Sequence, residues 1–169
     1  MARFATLAYG VVCYLAGMVA ILYAMGFIGG FVPKSIDAGG PPTAPTTALV
    51  INLLLLGVFA IQHSVMARPA FKAAWTKIVP AATERSTYVL FSALALALLY
   101  WQWRPIAGNL WSTSGGLATA LMAVFWLGWA VLFISTFLIN HFDLFGLSPF
   151  ERHAIYAGHA RRLCKLPAR

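Results

Sequence analysis

Apolar runs too long for a strand alternate along this chain with short polar connectors. The first run covers about residues 4–28 and carries no charge after Arg3; the others cover about 47–67, 86–103 and 116–141. Crossing the ~30 Å hydrocarbon core of a bilayer takes about 20 apolar residues in a helix, so four spans are predicted. The first run exceeds the ~7–15-residue apolar core of a cleaved signal peptide and reads as a retained transmembrane helix. Gly10 and Gly17 lie one heptad apart on it, and Ala16, Ala20 and Ala24 follow at intervals of four. Small-residue faces of this kind let neighbouring helices approach closely.

The polar stretches differ in kind. Residues 33–46, PKSIDAGGPPTAPT, have no periodicity and read as a solvated loop. Residues 68–85, RPAFKAAWTKIVPAATER, hold four positive charges, with Phe71, Trp75 and Ile78 at i, i+4 and i+7. That pattern predicts a short amphipathic helix at the membrane interface, ended by Pro80. Thr83 is the expected N-cap of the third span, with Glu84 at the positive end of its dipole. Tyr100, Trp101 and Trp103 read as an aromatic interface belt, and Trp111 as a further anchor. Trp126 and Trp129 lie too deep for a belt and are expected to pack inside the bundle. The expected fold class is all-α: an integral membrane bundle of four transmembrane helices (residues 1–147) with a short interfacial helix and a basic C-terminal tail (148–169).

Composition agrees. Of 169 residues, 61% are hydrophobic and 9% charged, with a mean hydropathy of +0.80; soluble domains carry roughly 25% charged residues. The net charge of +8 would suggest nucleic acid in a soluble protein. Here it is read as orientation and attraction to the lipid bilayer, with no nucleic-acid partner expected. Ten of the twelve Lys and Arg residues fall at the N-terminus, in the second connector or in the tail. The asymmetry predicts a multi-pass protein with both termini cytoplasmic. Cys13 and Cys164 have no CxxC spacing, and neither a disulfide framework nor a metal site is expected.

Candidate chemistry concentrates in 135–147, STFLINHFDLFGL, where the fourth span leaves the membrane. At 100° per residue, Thr136, Asn140 and Asp143 share a stripe, with His141 a quarter-turn away. Gly146 is a plausible helix stop. Asn52 and His63, close to three turns apart, share a face with Leu56 and Phe59, and Asn52 is expected to bond another helix or the bundle interior because a lone amide in hydrocarbon is costly. The predicted topology brings His63, Glu84, Arg85, His141 and Asp143 to one membrane face from three helices. Such a face suits a membrane enzyme, a b-type haem module ligated by His63 and His141, or a structural or transport protein with interfacial anchors. No P-loop, GxSxG, HExxH or GxGxxG motif is present.

Three segments together resemble a known family: Gln62-His63-Ser64-Val65-Met66-Ala67-Arg68, Glu84-Arg85-Ser86-Thr87-Tyr88, and Asn140-His141-Phe142-Asp143-Leu144-Phe145-Gly146-Leu147. They are similar to the bacterial methanethiol S-methyltransferases, part of a wider group that includes isoprenylcysteine carboxyl methyltransferase and the NnrU-like proteins. The resemblance covers roughly residues 1–147. It implies an enzyme of the bacterial cytoplasmic membrane that transfers a methyl group from S-adenosylmethionine to a small thiol such as methanethiol, giving dimethyl sulfide. On that reading His141 handles the thiol proton and Asp143 orients it or an arginine. His63, Arg85 and Asn140 bind substrate, and a homo-oligomer is possible. The family continues with further membrane helix and an RHPxYxG-type cofactor motif. Residues 152–158, RHAIYAG, echo that motif and make Arg152, His153 and Tyr156 the candidate cofactor ligands, with Ala154 where the family has proline. They follow Leu147 after a shorter connection than the family has, and the segment after them is basic rather than apolar. The expectation is a truncated relative whose tail is out-of-frame sequence or, second, the scar of an internal deletion. The alternative function is a non-catalytic membrane protein of the same lineage.

Overall fold

A computed structural model describes residues 2–108 and 112–139. Among them five helices form and no strand: α1 (Ala2–Gly29), α2 (Pro45–Ala67), α3 (Pro69–Trp75), α4 (Glu84–Gln102) and α5 (Gly115–Ile139). The four long helices fall where the apolar runs predict spans. Three are long and apolar enough to cross a membrane: Phe4–Gly29, Pro45–Ala67 and Gly115–Leu138. The third expected span, α4, is not among them. Its 19 residues begin with Glu84 and Arg85, and its Ser86 and Thr87 are buried. The packing accounts for this: α4 lies against α1 on one side and α2 on the other. A helix shielded by protein does not need to be apolar all round.

The small residues of α1 do what their spacing predicts. Gly10, Cys13, Gly17 and Ala20 are buried on one stripe of α1, the helix that packs most extensively on α4. Further along, Phe27, Leu99 and Tyr100 form a buried cluster with Tyr23, Val32, Ile36 and Trp103 packed around it. The Tyr100 ring lies 5.0 Å from Tyr23 and 5.1 Å from Phe27, and its hydroxyl donates to the Ala20 carbonyl at 3.0 Å. Tyr100→Phe keeps the ring packing and loses that bond. It is expected to lower stability by about 1 kcal/mol, read as a fall in the thermal unfolding midpoint in detergent.

The first connector departs from expectation: it is docked rather than merely solvated. α1 ends in a Schellman turn, with Gly30 at φ 72 and the Phe31 amide donating to the Gly26 carbonyl at 2.9 Å. The chain then folds back, and the Ile36 amide satisfies the Phe27 carbonyl at 3.0 Å. Tyr23 donates to the Lys34 carbonyl at 3.2 Å, Trp103 Nε1 donates to the Ile36 carbonyl at 2.9 Å, and the Lys34 ammonium donates to the Trp101 carbonyl. Gly40 sits so close to Pro105 that a Cβ would lie 2.2 Å from the proline ring. Of the expected aromatic belt, only Trp101 faces outward, at 69% exposed; Tyr100 and Trp103 turn into this corner.

Other local expectations are revised as well. α3 ends at Trp75, so the amphipathic helix is shorter than its stripe. Phe71 and Trp75 stack at 5.7 Å and Trp75 reaches Phe91 of α4, whereas Ile78 is 80% exposed. Thr83 does not cap α4 with its side chain. Its hydroxyl donates back to the Pro80 carbonyl at 3.0 Å, a local turn bond that competes with capping. Glu84 stands in the first turn of α4, as expected, and also pairs with Lys72 at 3.9 Å. Trp126 and Trp129 do not sit inside the bundle. Trp126 is 45% exposed and stacks on Phe31 at 5.5 Å, while Trp129 packs along its own helix near Phe125 and Phe133. Trp111, Gly146 and the basic tail lie outside the described residues.

Candidate functional site

Asn52 and His63 share a face of α2, yet they serve different ends of the molecule. Asn52 is buried and grips the Arg104 backbone in both directions: Nδ2 donates to the carbonyl at 2.7 Å, and the Arg104 amide donates to Oδ1 at 2.9 Å. This is the expected interhelix bond, made to backbone just past the end of α4. His63, near the other end of α2, stacks on Phe59 one turn earlier at 5.3 Å.

α4 fixes the imidazole. The Tyr88 hydroxyl lies 3.0 Å from Nδ1 and 2.9 Å from Nε2, and the Ser92 hydroxyl lies 3.1 Å from Nδ1. The Tyr88 ring also packs at 5.1 Å from the imidazole. Tyr88 and Ser92 are one helical turn apart, as are Phe59 and His63, so two helix faces close on the histidine. Gln62 adds a longer contact to Ser92 at 3.5 Å and one to Met66 Sδ at 3.2 Å, while its buried Oε1 accepts no bond.

This group borders a cavity of about 350 Å³ to which all four long helices contribute. Gly17 and Ala20 come from α1, Phe59 and His63 from α2, Tyr88 and Ser92 from α4, and Thr136 from α5. The walls are otherwise apolar. Below the cavity, Tyr9 and Thr87 tie α1 to α4 at 3.0 Å. Thr87 already donates to the Thr83 carbonyl at 2.8 Å, so Tyr9 is the donor.

The structure thus brings His63 together with Thr136, the first member of the predicted α5 stripe. Arg85 stands one turn before Tyr88 on α4 and does not line the cavity. Asn140, His141, Asp143, Arg152, His153 and Tyr156 lie outside the described residues. Two residues of the site were not singled out by sequence reasoning. Tyr88 appears only within a resembling motif, and Ser92 sits in an alanine- and leucine-rich run. Their i, i+4 spacing on a helix opposite Phe59 and His63 was the available signal. Among the described residues, no group of three or more His, Cys, Asp or Glu side chains converges as for a metal.

Chemically, the cavity offers an imidazole held by two hydroxyls against apolar walls, which fits a small neutral or weakly acidic molecule. Among the described residues its lining holds no carboxylate, lysine or arginine.

Fold and site together define an all-helical protein with membrane-length apolar helices around a small, histidine-bearing cavity. No protein-family model matches the chain, and no solved structure does. Curated proteins do. The chain is 58% identical over 147 residues to methanethiol S-methyltransferase 2 of Bradyrhizobium diazoefficiens, covering 86% of this chain and 56% of that protein. It is 53% identical over 150 residues to the methanethiol S-methyltransferase of Mycobacterium tuberculosis, covering 87% of this chain and 61% of that one. Nurim of Mus musculus is 33% identical over 121 residues, covering 66% of this chain and 45% of nurim. Over these spans the chain is a homologue of the methanethiol S-methyltransferases, and it spans a little over half the length of those relatives.

Proposed function

We propose that this chain is a membrane S-methyltransferase unit that methylates a small thiol such as methanethiol, giving dimethyl sulfide. The observation that carries the proposal is the cavity where α1, α2, α4 and α5 meet around His63, in a homologue of proteins named for that reaction. S-adenosylmethionine supplies an activated methyl on its sulfonium. What remains for the protein is to align the thiol, exclude water and remove one proton. In the proposal His141 takes the thiol proton and Asp143 orients it. Asn140 is a further proposed substrate-binding residue. His63, held by Tyr88 and Ser92, shapes the thiol pocket, and Arg85 balances negative charge at its rim. Arg152, His153 and Tyr156 are the proposed cofactor ligands.

The proposed topology has four spans. α4 is about 28 Å long at ~1.5 Å per residue, enough to cross when flanked by α1 and α2. Both termini then lie on the cytoplasmic side of the bacterial inner membrane, where α3 rests on the interface.

The test is calorimetric binding of S-adenosylmethionine to the purified chain in detergent, with headspace detection of dimethyl sulfide from methanethiol. Binding with turnover is the expected result. A well-folded chain that binds no cofactor and yields no dimethyl sulfide would refute the proposal.

A further inference from the structure

A second cavity, of about 500 Å³, runs between α1 and α4 on a different face of α4 from His63. Alanines form its floor, Ala16 and Ala20 from α1 and Ala93 and Ala97 from α4, and their short side chains leave the trough open. Leu94, 55% exposed, forms part of its outer lip. Lys34 and Trp101 stand at one end, and Lys34 is the charged side chain on the lining.

We propose that this groove holds one acyl chain of a net-anionic phospholipid, with the phosphodiester at the Lys34 ammonium. Four observations carry it. The groove follows α4 from Leu90 to Trp101, about 16 Å at ~1.5 Å per residue. That is close to half the ~30 Å hydrocarbon core, the depth of one leaflet. The cation sits at the end where the helices leave the apolar layer, and nowhere along the trough. Lys34 is also pre-positioned. Its carbonyl accepts from Tyr23 at 3.2 Å and its ammonium donates to the Trp101 carbonyl, leaving further N–H donors for phosphate oxygens. Trp101, largely exposed beside it, has the amphipathic ring that settles at headgroup level. This inference stands independently of the methyl-transfer reading.

The test uses the full chain, delipidated in detergent, with phosphatidylglycerol or phosphatidylcholine added back and bound lipid counted by native mass spectrometry. Phosphatidylglycerol is expected to bind about fivefold more tightly, the factor for one basic side chain near an anionic headgroup. Lys34→Gln, which keeps an N–H donor, should bring the two lipids to parity. Ala97→Leu fills the groove and should weaken both at least fivefold, while Ala60→Leu on the exposed face of α2 should change neither. Equal binding of the two lipids to the unaltered chain overturns the headgroup assignment. Unchanged binding to a folded Ala97→Leu chain overturns the groove. If that variant does not fold, quenching by lipid brominated near the carbonyl end decides. The quenched fraction should fall in Trp101→Phe, and no difference from the unaltered chain refutes the site.

Discussion

Replacing Asn52 by leucine is expected to destabilise the fold by about 3 kcal/mol. The side chain is 4% exposed and supplies both partners of the Arg104 peptide groups. Those groups lie just beyond the end of α4, where the helix ladder no longer serves them, and the following Pro105 has no N–H to offer. Leucine fills the volume but leaves a donor and an acceptor unpaired, each costing about 1–3 kcal/mol when kept from water. The gain from burying a branched apolar side chain offsets only part of that. Asn52→Asp should be at least as harmful, since it keeps the acceptor and turns a carboxylate oxygen on the Arg104 carbonyl. Chemical denaturation in detergent measures both. A loss under about 1 kcal/mol for leucine would mean that water reaches the Arg104 peptide and that Asn52 does not fasten α2 to α4.

The second large effect concerns His141. In a preparation that turns over methanethiol, His141→Ala is expected to lower kcat/KM at neutral pH by at least about 100-fold, the scale of a lost general base. The deficit should shrink as pH rises. The thiolate is the attacking species, and its share of the free thiol grows as pH rises towards the thiol's own pKa, so the variant regains thiolate without help. His63→Ala, which opens the pocket and removes no base, should raise KM by a factor that does not change with pH. Dimethyl sulfide formation followed across pH separates the two. A His141→Ala deficit that stays constant with pH would assign His141 to packing, and unchanged turnover would remove it from the site.

The positions of the long helices were legible because uninterrupted apolar runs are a one-dimensional signal: α1, α2 and α4 begin and end, and α5 begins, within a few residues of expectation. That Asn52 needs a partner was equally legible from its cost in hydrocarbon. That the partner is the Arg104 backbone was not, since a peptide group has no sequence signature. The same blindness explains the first connector, whose docking runs through the carbonyls of Phe27, Lys34 and Ile36. Thr83 has the right identity for a cap but a competing acceptor at Pro80. At the candidate site, His63 could be singled out because a ring nitrogen near the end of an apolar run is conspicuous. Ser92 could not, since a small hydroxyl in a helix ordinarily bonds its own backbone.

The order in which the helices pack has a consequence for biogenesis. α1 and α2 leave the ribosome first, yet each finds its main partner in α4, which is made after both. A nascent chain halted before Glu84 holds Asn52 without the Arg104 peptide, Tyr9 without Thr87 and His63 without Tyr88. The first two long helices therefore gain their main packing partner only when α4 is made. During that interval Asn52, Tyr9 and His63 lack the partners that the finished fold gives them.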